Sequence, residues 1–268
     1  MERAFFTRNP SPAELTVLAK YLGTYRDGTG GYREKDGSSR ADPRQIERCF
    51  AELLHGRTTE SKMFYDFLIE FNESGGIAVR GASVKSKQLQ KLKDYKKLGL
   101  RAHLEISNSS ARDWKLCRER NLTEDDFLQK RNPAEFGKVI LDRQIQEREF
   151  SEKNYKEENI SKNNLFFVAK ESIFISVLYS PEIKGERNWL VATFNINLPE
   201  PKEWKFEGKR LVGLDENNEC LYEWYALSGS QFKYYPKISS RMYGTELFTL
   251  PRPTVETLQA KSSRLFGA

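Results

Sequence analysis

The sequence predicts an α/β fold of the α+β kind: a mixed sheet flanked by helices, with a β-rich C-terminal half. Three observations predict it. Apolar residues recur at helical spacing over 43–54, two strand-like runs at 63–69 and 77–85 flank a Glu-Ser-Gly-Gly turn (73–76), and six strand-like runs crowd the chain beyond residue 164. A chain of 268 residues is long enough to bury a sizeable core in one large domain or in a domain with an elaborate second lobe.

The elements follow in order. Ser11, Pro12 and Glu14 form a capping box that opens a helix to about Leu22. The Gly-rich stretch 23–40 has no Gly-Lys-Ser/Thr ending, so it is no phosphate-binding P-loop. It reads as a surface loop, with the sharper alternative of an arm that closes on DNA through Arg26, Arg33, Lys35 and Arg40. Asp42, Pro43 and Gln45 cap a second helix, on which Ile46, Cys49, Phe50, Leu53 and Leu54 form one apolar stripe. After the strand pair, Ser86 starts a basic helix over 87–98 with Leu89 and Leu92 inward and Gly99 as its stop, and a third strand alternates over 100–107. Ser110 and Asp113 bracket the start of a helix around 114–116, and Pro133 begins one running to about Phe150. Charge and amide dominate 142–164, which reads as a solvated helix end and linker. The expected organisation is therefore a part over 1–150, with helices and the strand pair, and a β-rich part over 151–268. Strands are expected at 165–169, 172–179, 189–198, 209–214, 220–227 and 232–235, with 215–218 a hairpin turn.

Composition narrows the function. The formal charge of +6 is modest, but eight basic residues stand against one acid, Asp94, between Arg80 and Arg101. Such a stretch suits phosphate. No run approaches the roughly 20 apolar residues of a bilayer span, and the N-terminus lacks a signal-peptide core, so a soluble, cytoplasmic protein without membrane contact is expected. Cys49, Cys117 and Cys220 have no ligand-pair spacing and read as reduced, buried thiols. The two histidines, His55 and His103, have no local partners that would make a zinc site.

Three residues carry the chemistry. In the strand pair the two-residue repeat puts Ser83 and Lys85 on one face, and the turn brings them beside Asp66. An acid inside so apolar a strand is costly unless something binds it. Asp66 and Lys85 together supply the minimum for phosphodiester hydrolysis: a ligand for Mg²⁺, and an ammonium that orients water and offsets charge on the phosphate.

The stretch from Glu47 to Ser109 resembles the PD-(D/E)xK core of type II restriction endonucleases. The sequence 64–69 (FYDFLI) stands at the first acidic motif and 82–86 (ASVKS) at the second. The resemblance implies a restriction-endonuclease-like catalytic core at about 40–115, with 151–268 for target recognition or dimerisation, and Mg²⁺-dependent cutting of both strands of double-stranded DNA at a short sequence. It further implies a homodimer, a cognate DNA methyltransferase and a prokaryotic host. Tyr65 stands where the family often has proline, and Ser83 where it usually has Asp or Glu, so a second carboxylate must come from elsewhere. Glu105, on the polar face of a strand expected in the same sheet, is the first candidate and is paired with Asp66 as metal ligand. Glu52 or Glu47 on the preceding helix comes next, and Asp94 last. For DNA contact the candidates are Lys87, Lys91, Lys93, Lys97 and Arg101 in the basic stretch, the Ser107, Asn108 and Ser109 cluster, and Lys233 and Arg241 downstream. Two other readings stand beside the restriction enzyme: a nucleic-acid-binding protein with a degenerate nuclease core, and a repair or junction nuclease that recognises structure.

Overall fold

The computed structural model of the chain describes residues 2–24, 31–33, 39–41, 43–59, 63–162, 164–181, 186–229, 231–250 and 258–267. Arg26, Lys35 and Asp42 lie outside these residues, and Arg33 and Arg40 are described by their backbone alone. The fold is α+β.

Helix α1 (Pro12–Gly23) starts on the expected capping box: Ser11 accepts from the Glu14 amide, and the Glu14 carboxylate accepts from the Ser11 amide at 2.7 Å. The short strands β1 (Gly31–Arg33) and β2 (Ser39–Ala41) form a small hairpin, and α2 (Pro43–Leu53) follows with Ile46, Cys49 and Phe50 buried. Strands β3 (Arg57–Thr58), β4 (Phe67–Glu73) and β5 (Gly76–Gln88) are antiparallel neighbours, the β4–β5 turn closing on the Glu73–Gly76 pair.

The basic helix expected over 87–98 is not there. Strand β5 runs on to Gln88, and only a 3-10 turn at 92–94 and α3 (Tyr95–Leu98) follow, ending at Gly99 in the left-handed conformation (φ 57°). Lys87 and Gln88 are instead held in a parallel ladder opposite Leu178 and Tyr179. That long-range ladder overrides the local helix preference.

Next come β6 (Leu104–Ser107), α4 (Ser110–Glu119), α5 (Glu124–Leu128) and α6 (Pro133–Glu158). Helix α6 carries straight through the boundary expected at 150. Ser151 and Tyr155 are buried, Ser151 accepting from the Phe64 amide at 2.8 Å and Tyr155 donating to Glu70. The charged stretch is the solvent side of a helix docked on the sheet, and its sequence looks like a linker because only a narrow stripe of it faces inward.

The remaining elements are β7 (Leu165–Phe167), β8 (Ile173–Tyr179), β9 (Asn188–Asn195), β10 (Glu203–Glu207), β11 (Arg210–Leu214), β12 (Cys220–Trp224), β13 (Phe232–Tyr234), β14 (Phe248–Thr249) and α7 (Leu258–Phe266). The 215–218 turn closes β11 on β12 as expected: Asp215 accepts from the amides of Asn217 and Glu219, and Asn218 takes φ 57°. A seven-stranded sheet has the order β14-β9-β8-β5-β4-β3, with β7 also on β5, and a five-stranded sheet has the order β10-β11-β12-β13-β6. Strands β7 and β8 run parallel to β5, and the other pairings are antiparallel. Strands from beyond residue 150 thus complete the sheet that carries Asp66 and Lys85, so the two expected halves are interleaved.

One face of the large sheet packs Ala78, Ala82, Val84, Ile173 and Ile175 with residues of α1 and α2. The other face packs Val79, Phe174 and Leu178 in a core shared with α6 and the second sheet. Trp114, Phe127, Phe136, Phe206 and Trp224 interlock in that core, with ring centroids 5.0–6.2 Å apart. Beside them lies a buried ion pair, Arg143 Nε to Asp113 Oδ1 at 2.9 Å. Trp224 Nε1 donates to the other Asp113 oxygen, and Arg143 also donates to Ser107 and Glu147. No helix among the described residues is long and apolar enough to cross a membrane.

Removing Asp113 would leave the buried Arg143 with Glu147 alone, among the described residues, as its counter-charge. Asp113→Asn is therefore expected to lower unfolding free energy by about 1–3 kcal/mol, read from urea denaturation of both proteins. A loss below about 1 kcal/mol would mean that the pair is not needed to hold α4 and α6 together.

Candidate active site

Asp66 stands one residue before β4, and its amide extends the β4–β5 ladder by donating to Ala82 O at 2.9 Å. Beyond that point the backbone ladder stops and the side chain takes over. Asp66 Oδ2 accepts from the Val84 amide at 2.6 Å and from Ser83 Oγ at 3.3 Å, and Lys85 Nζ lies 3.6 Å away. The Asp66 and Lys85 side chains are 19% and 24% exposed, so both are anchored yet reachable. Oδ1 of Asp66 accepts no hydrogen bond among the described residues.

Tyr65 sets the entry to this corner. Its buried ring lies flat on Gly81, where a Cβ would come within 2.1 Å of it, and its hydroxyl donates to Glu152 on α6 at 2.8 Å. Thr59 closes the other side by donating to Tyr65 O. One strand further in, Ser176 of β8 stands opposite Lys85 in the parallel ladder. It is fully buried, and its hydroxyl has no partner among the described residues.

Two depressions meet at this corner. An open cleft of about 430 Å³ is lined by Lys85 and Lys87 of β5, by His103, Glu105, Ser107 and Asn108 on or beside β6, by Lys233 and Tyr235, and by Pro43 and Glu47 of α2. A hollow of about 380 Å³ is lined by Arg44, Glu47, Arg48, Thr58, Thr59, Met63 and Asp66. Glu47 belongs to both.

The structure thus brings Asp66, Ser83 and Lys85 together and sorts the remaining candidates. Glu105 reaches the cleft, but from the second sheet, where it stands opposite Lys233 on β13; the expectation that it shares a sheet with Lys85 is overturned. Strand β6 finds its partner far downstream, a pairing no local pattern reveals. Glu52 lies farther along α2 and lines an adjoining hollow with Tyr21, Thr24 and Cys49, which shares Arg48 and Thr58 with the hollow of Asp66, so Glu47 is the helix acid that lines the Asp66 hollow itself. Among the described residues no three His, Cys, Asp or Glu side chains gather in a group that could hold a metal.

Of the candidates for DNA contact, Lys87, Ser107, Asn108 and Lys233 line the cleft, and Ser109 sits at the N-cap of α4 without a side-chain cap bond. Lys91 and Lys93, at and in the 3-10 turn beyond β5, and Lys97 on α3 are exposed and make no ion pair among the described residues. Arg101 is taken up elsewhere, pairing with Asp215 and Glu219 and donating to Tyr235 O. Arg241 is likewise engaged, with Glu246 and Ile238 O, and packs over Tyr95. Both arginines clasp structure together, which their position in a basic sequence conceals.

His103 is a cleft residue that composition alone sets aside. Its ring meets the Tyr235 ring edge-on at 4.8 Å. Burial, and next the positive charge of Lys87, hold its pKa below the ordinary 6.5, against the pull of Glu223. Below pH about 6.5 the unfolded chain binds a proton at this histidine that the folded chain does not, so stability falls as pH drops until the depressed folded pKa is passed. His103→Gln is expected to flatten that part of the curve of unfolding free energy against pH, measured by urea titrations between pH 7 and 5. An unchanged curve would place the acid-sensitive group elsewhere. Known family models, curated proteins and solved structures include none that matches this chain.

Proposed function

We propose that the chain is a Mg²⁺-dependent, sequence-specific endonuclease of the type II restriction class, hydrolysing phosphodiester bonds of double-stranded DNA. One observation carries this reading: Asp66 and Lys85 converge at the end of a single hairpin, 3.6 Å apart, on the rim of a cleft bearing Lys87 and Lys233. Class alone, rather than this geometry, suggests a two-fold dimer for a symmetric target, a partner methyltransferase and a place in the prokaryotic cytoplasm.

The residues fit Mg²⁺. That ion takes one or two protein carboxylates and completes its shell with water and phosphate oxygens. Asp66 has an oxygen without a partner among the described residues, and Glu47 lines the same hollow. When bound there, Mg²⁺ would supply Lewis-acid polarisation of the phosphate and a more acidic water. Lys85 would hold the attacking water and offset the negative charge that grows on the phosphate. The Ser176 hydroxyl, its neighbour in the ladder, offers the ammonium a second anchor as Asp66 turns to its ligand. Ser83 adds a hydrogen bond but no charge. Lys87, Lys233 and Asn108 would grip the backbone on either side.

A DNA-binding protein without catalysis is the second reading, favoured by the serine at position 83 and by the lack of a three-ligand group among the described residues. A gel of mixed DNA with Mg²⁺ or EDTA separates the two. Discrete Mg²⁺-dependent fragments support the enzyme, preference for branched substrates supports a junction nuclease, and binding without cutting supports the second reading.

Asp66→Ala and Lys85→Ala are each expected to slow cleavage by about 10²-fold or more while binding DNA normally in Ca²⁺. Near-normal turnover by either variant would sink the assignment. Glu47→Gln keeps shape but removes charge, so it is expected to raise the Mg²⁺ concentration needed for half-maximal cleavage, and by more than Glu105→Gln does. The reverse order in a Mg²⁺ titration would return the second acid to β6.

A further inference from the structure

Resting on the nuclease reading of the cleft, we propose that Arg44 and Arg48 of α2 form a phosphate subsite beyond Asp66, holding the DNA backbone next to the phosphate that is cut. Helix α2 is fastened by Ile46, Cys49 and Phe50, all buried against the large sheet. Arg44, Glu47 and Arg48 fall three and four residues apart, so they share one flank of the helix. Both arginines are exposed, and both line the hollow that Asp66 enters.

The hollow and the cleft share Glu47, so the Asp66–Lys85 corner has an opening on each side. Lysines furnish the cleft side and arginines the other. A DNA strand whose phosphate sits at this corner cannot end there, because the strand continues with one negative charge per nucleotide. Leaving past Asp66 and Glu47, its next phosphate would meet two carboxylates and be repelled unless positive charge stood beyond them. Arg44 and Arg48 supply that charge, and a guanidinium can hold phosphate oxygens through two parallel N–H bonds, which an ammonium cannot. Thr58, exposed on β3, adds a hydroxyl to the same wall. The ligand is the phosphodiester backbone of DNA, bound without regard to base.

The test uses the full chain and a labelled duplex in Ca²⁺, with affinity measured by fluorescence anisotropy over a salt series. The double variant R44A/R48A is expected to bind more weakly and to give a slope of log affinity against log salt shallower by about 1, for the one phosphate no longer neutralised. Arg44→Lys with Arg48→Lys should restore the slope more than the affinity. Thermal melts should show that the double variant still unfolds cooperatively. Single methylphosphonates along one strand locate the subsite: the wild type should lose affinity at one phosphate flanking the cut, and the double variant should not. An unchanged slope, or the same methylphosphonate penalty in both proteins, overturns the subsite. A wild type that binds with the full slope but never cuts in Mg²⁺ would remove the cleavage reading and leave the subsite standing. One that cuts, with a double variant of unaltered slope, would do the opposite. A wild type without salt-dependent affinity for DNA would overturn both.

Discussion

The ion pair between Arg143 and Asp113 fixes α4 and α6 to the second sheet, whose strand β6 forms one wall of the cleft. Its two side chains are 4% and 0% exposed, so each charge has lost its water and must be compensated by fixed partners. Those partners come from four elements: Asp113 from α4, Arg143 and Glu147 from α6, Trp224 from the second sheet and Ser107 from the end of β6. A hydrophobic contact at this place would tolerate sliding of the helices over that sheet. A guanidinium with directed bonds to Ser107 and Glu147 does not, because each bond weakens steeply as its angle departs from linear. Ser107, which opens on the cleft, is therefore held in place from behind by the same guanidinium that closes the core.

At the other wall of the cleft a carboxylate takes the place of backbone. Asp66 Oδ2 accepts the Val84 amide where the β4–β5 ladder would otherwise leave it open, and this contact sets Ser83 and Lys85 relative to the acid. Tyr65, wedged on Gly81 and tied to α6 through Glu152, keeps the acid from swinging away. The lysine side chain is a flexible four-carbon stem, whereas its strand is held by β8 on one side and, at Val84, by the Asp66 carboxylate on the other. A site of this kind combines a fixed strand with a flexible charged tip, as the proposed phosphodiester chemistry would require.

What can be read in the sequence is what local chemistry decides. The Ser11–Glu14 box, the 215–218 turn, the stop at Gly99 and the hairpin that joins Asp66 to Lys85 all depend on residues close together in the chain, and all are found. Arg101 reads as a phosphate contact only because Asp215 and Glu219 lie more than a hundred residues away in sequence. Glu105 is expected in the wrong sheet for the same reason, and β5 runs past its expected end because β8 supplies a ladder the sequence of 87–88 does not announce. Between Glu47 and Glu52 the choice turns on helix rise: five residues, about 7.5 Å, carry Glu52 out of the hollow that Glu47 shares with Asp66. Arg44 and Arg48, one turn apart beside Glu47, are visible as a pattern in the sequence but acquire meaning only once Asp66 stands next to them.

The parallel pairing of β5 with β8 joins residues 82–88 to residues 173–179. During synthesis the Asp66–Lys85 hairpin can form as soon as it leaves the ribosome, yet until β7 and β8 are made one side of β5 has no strand beside it. An open, apolar edge is the template on which two nascent chains pair with each other. Closing so long a loop also delays the ladder, since non-local pairings form late. The half-made protein would thus carry its chemical groups before it carries the strand that keeps them apart from other copies, and a chain that ends short of Tyr179 should aggregate rather than fold.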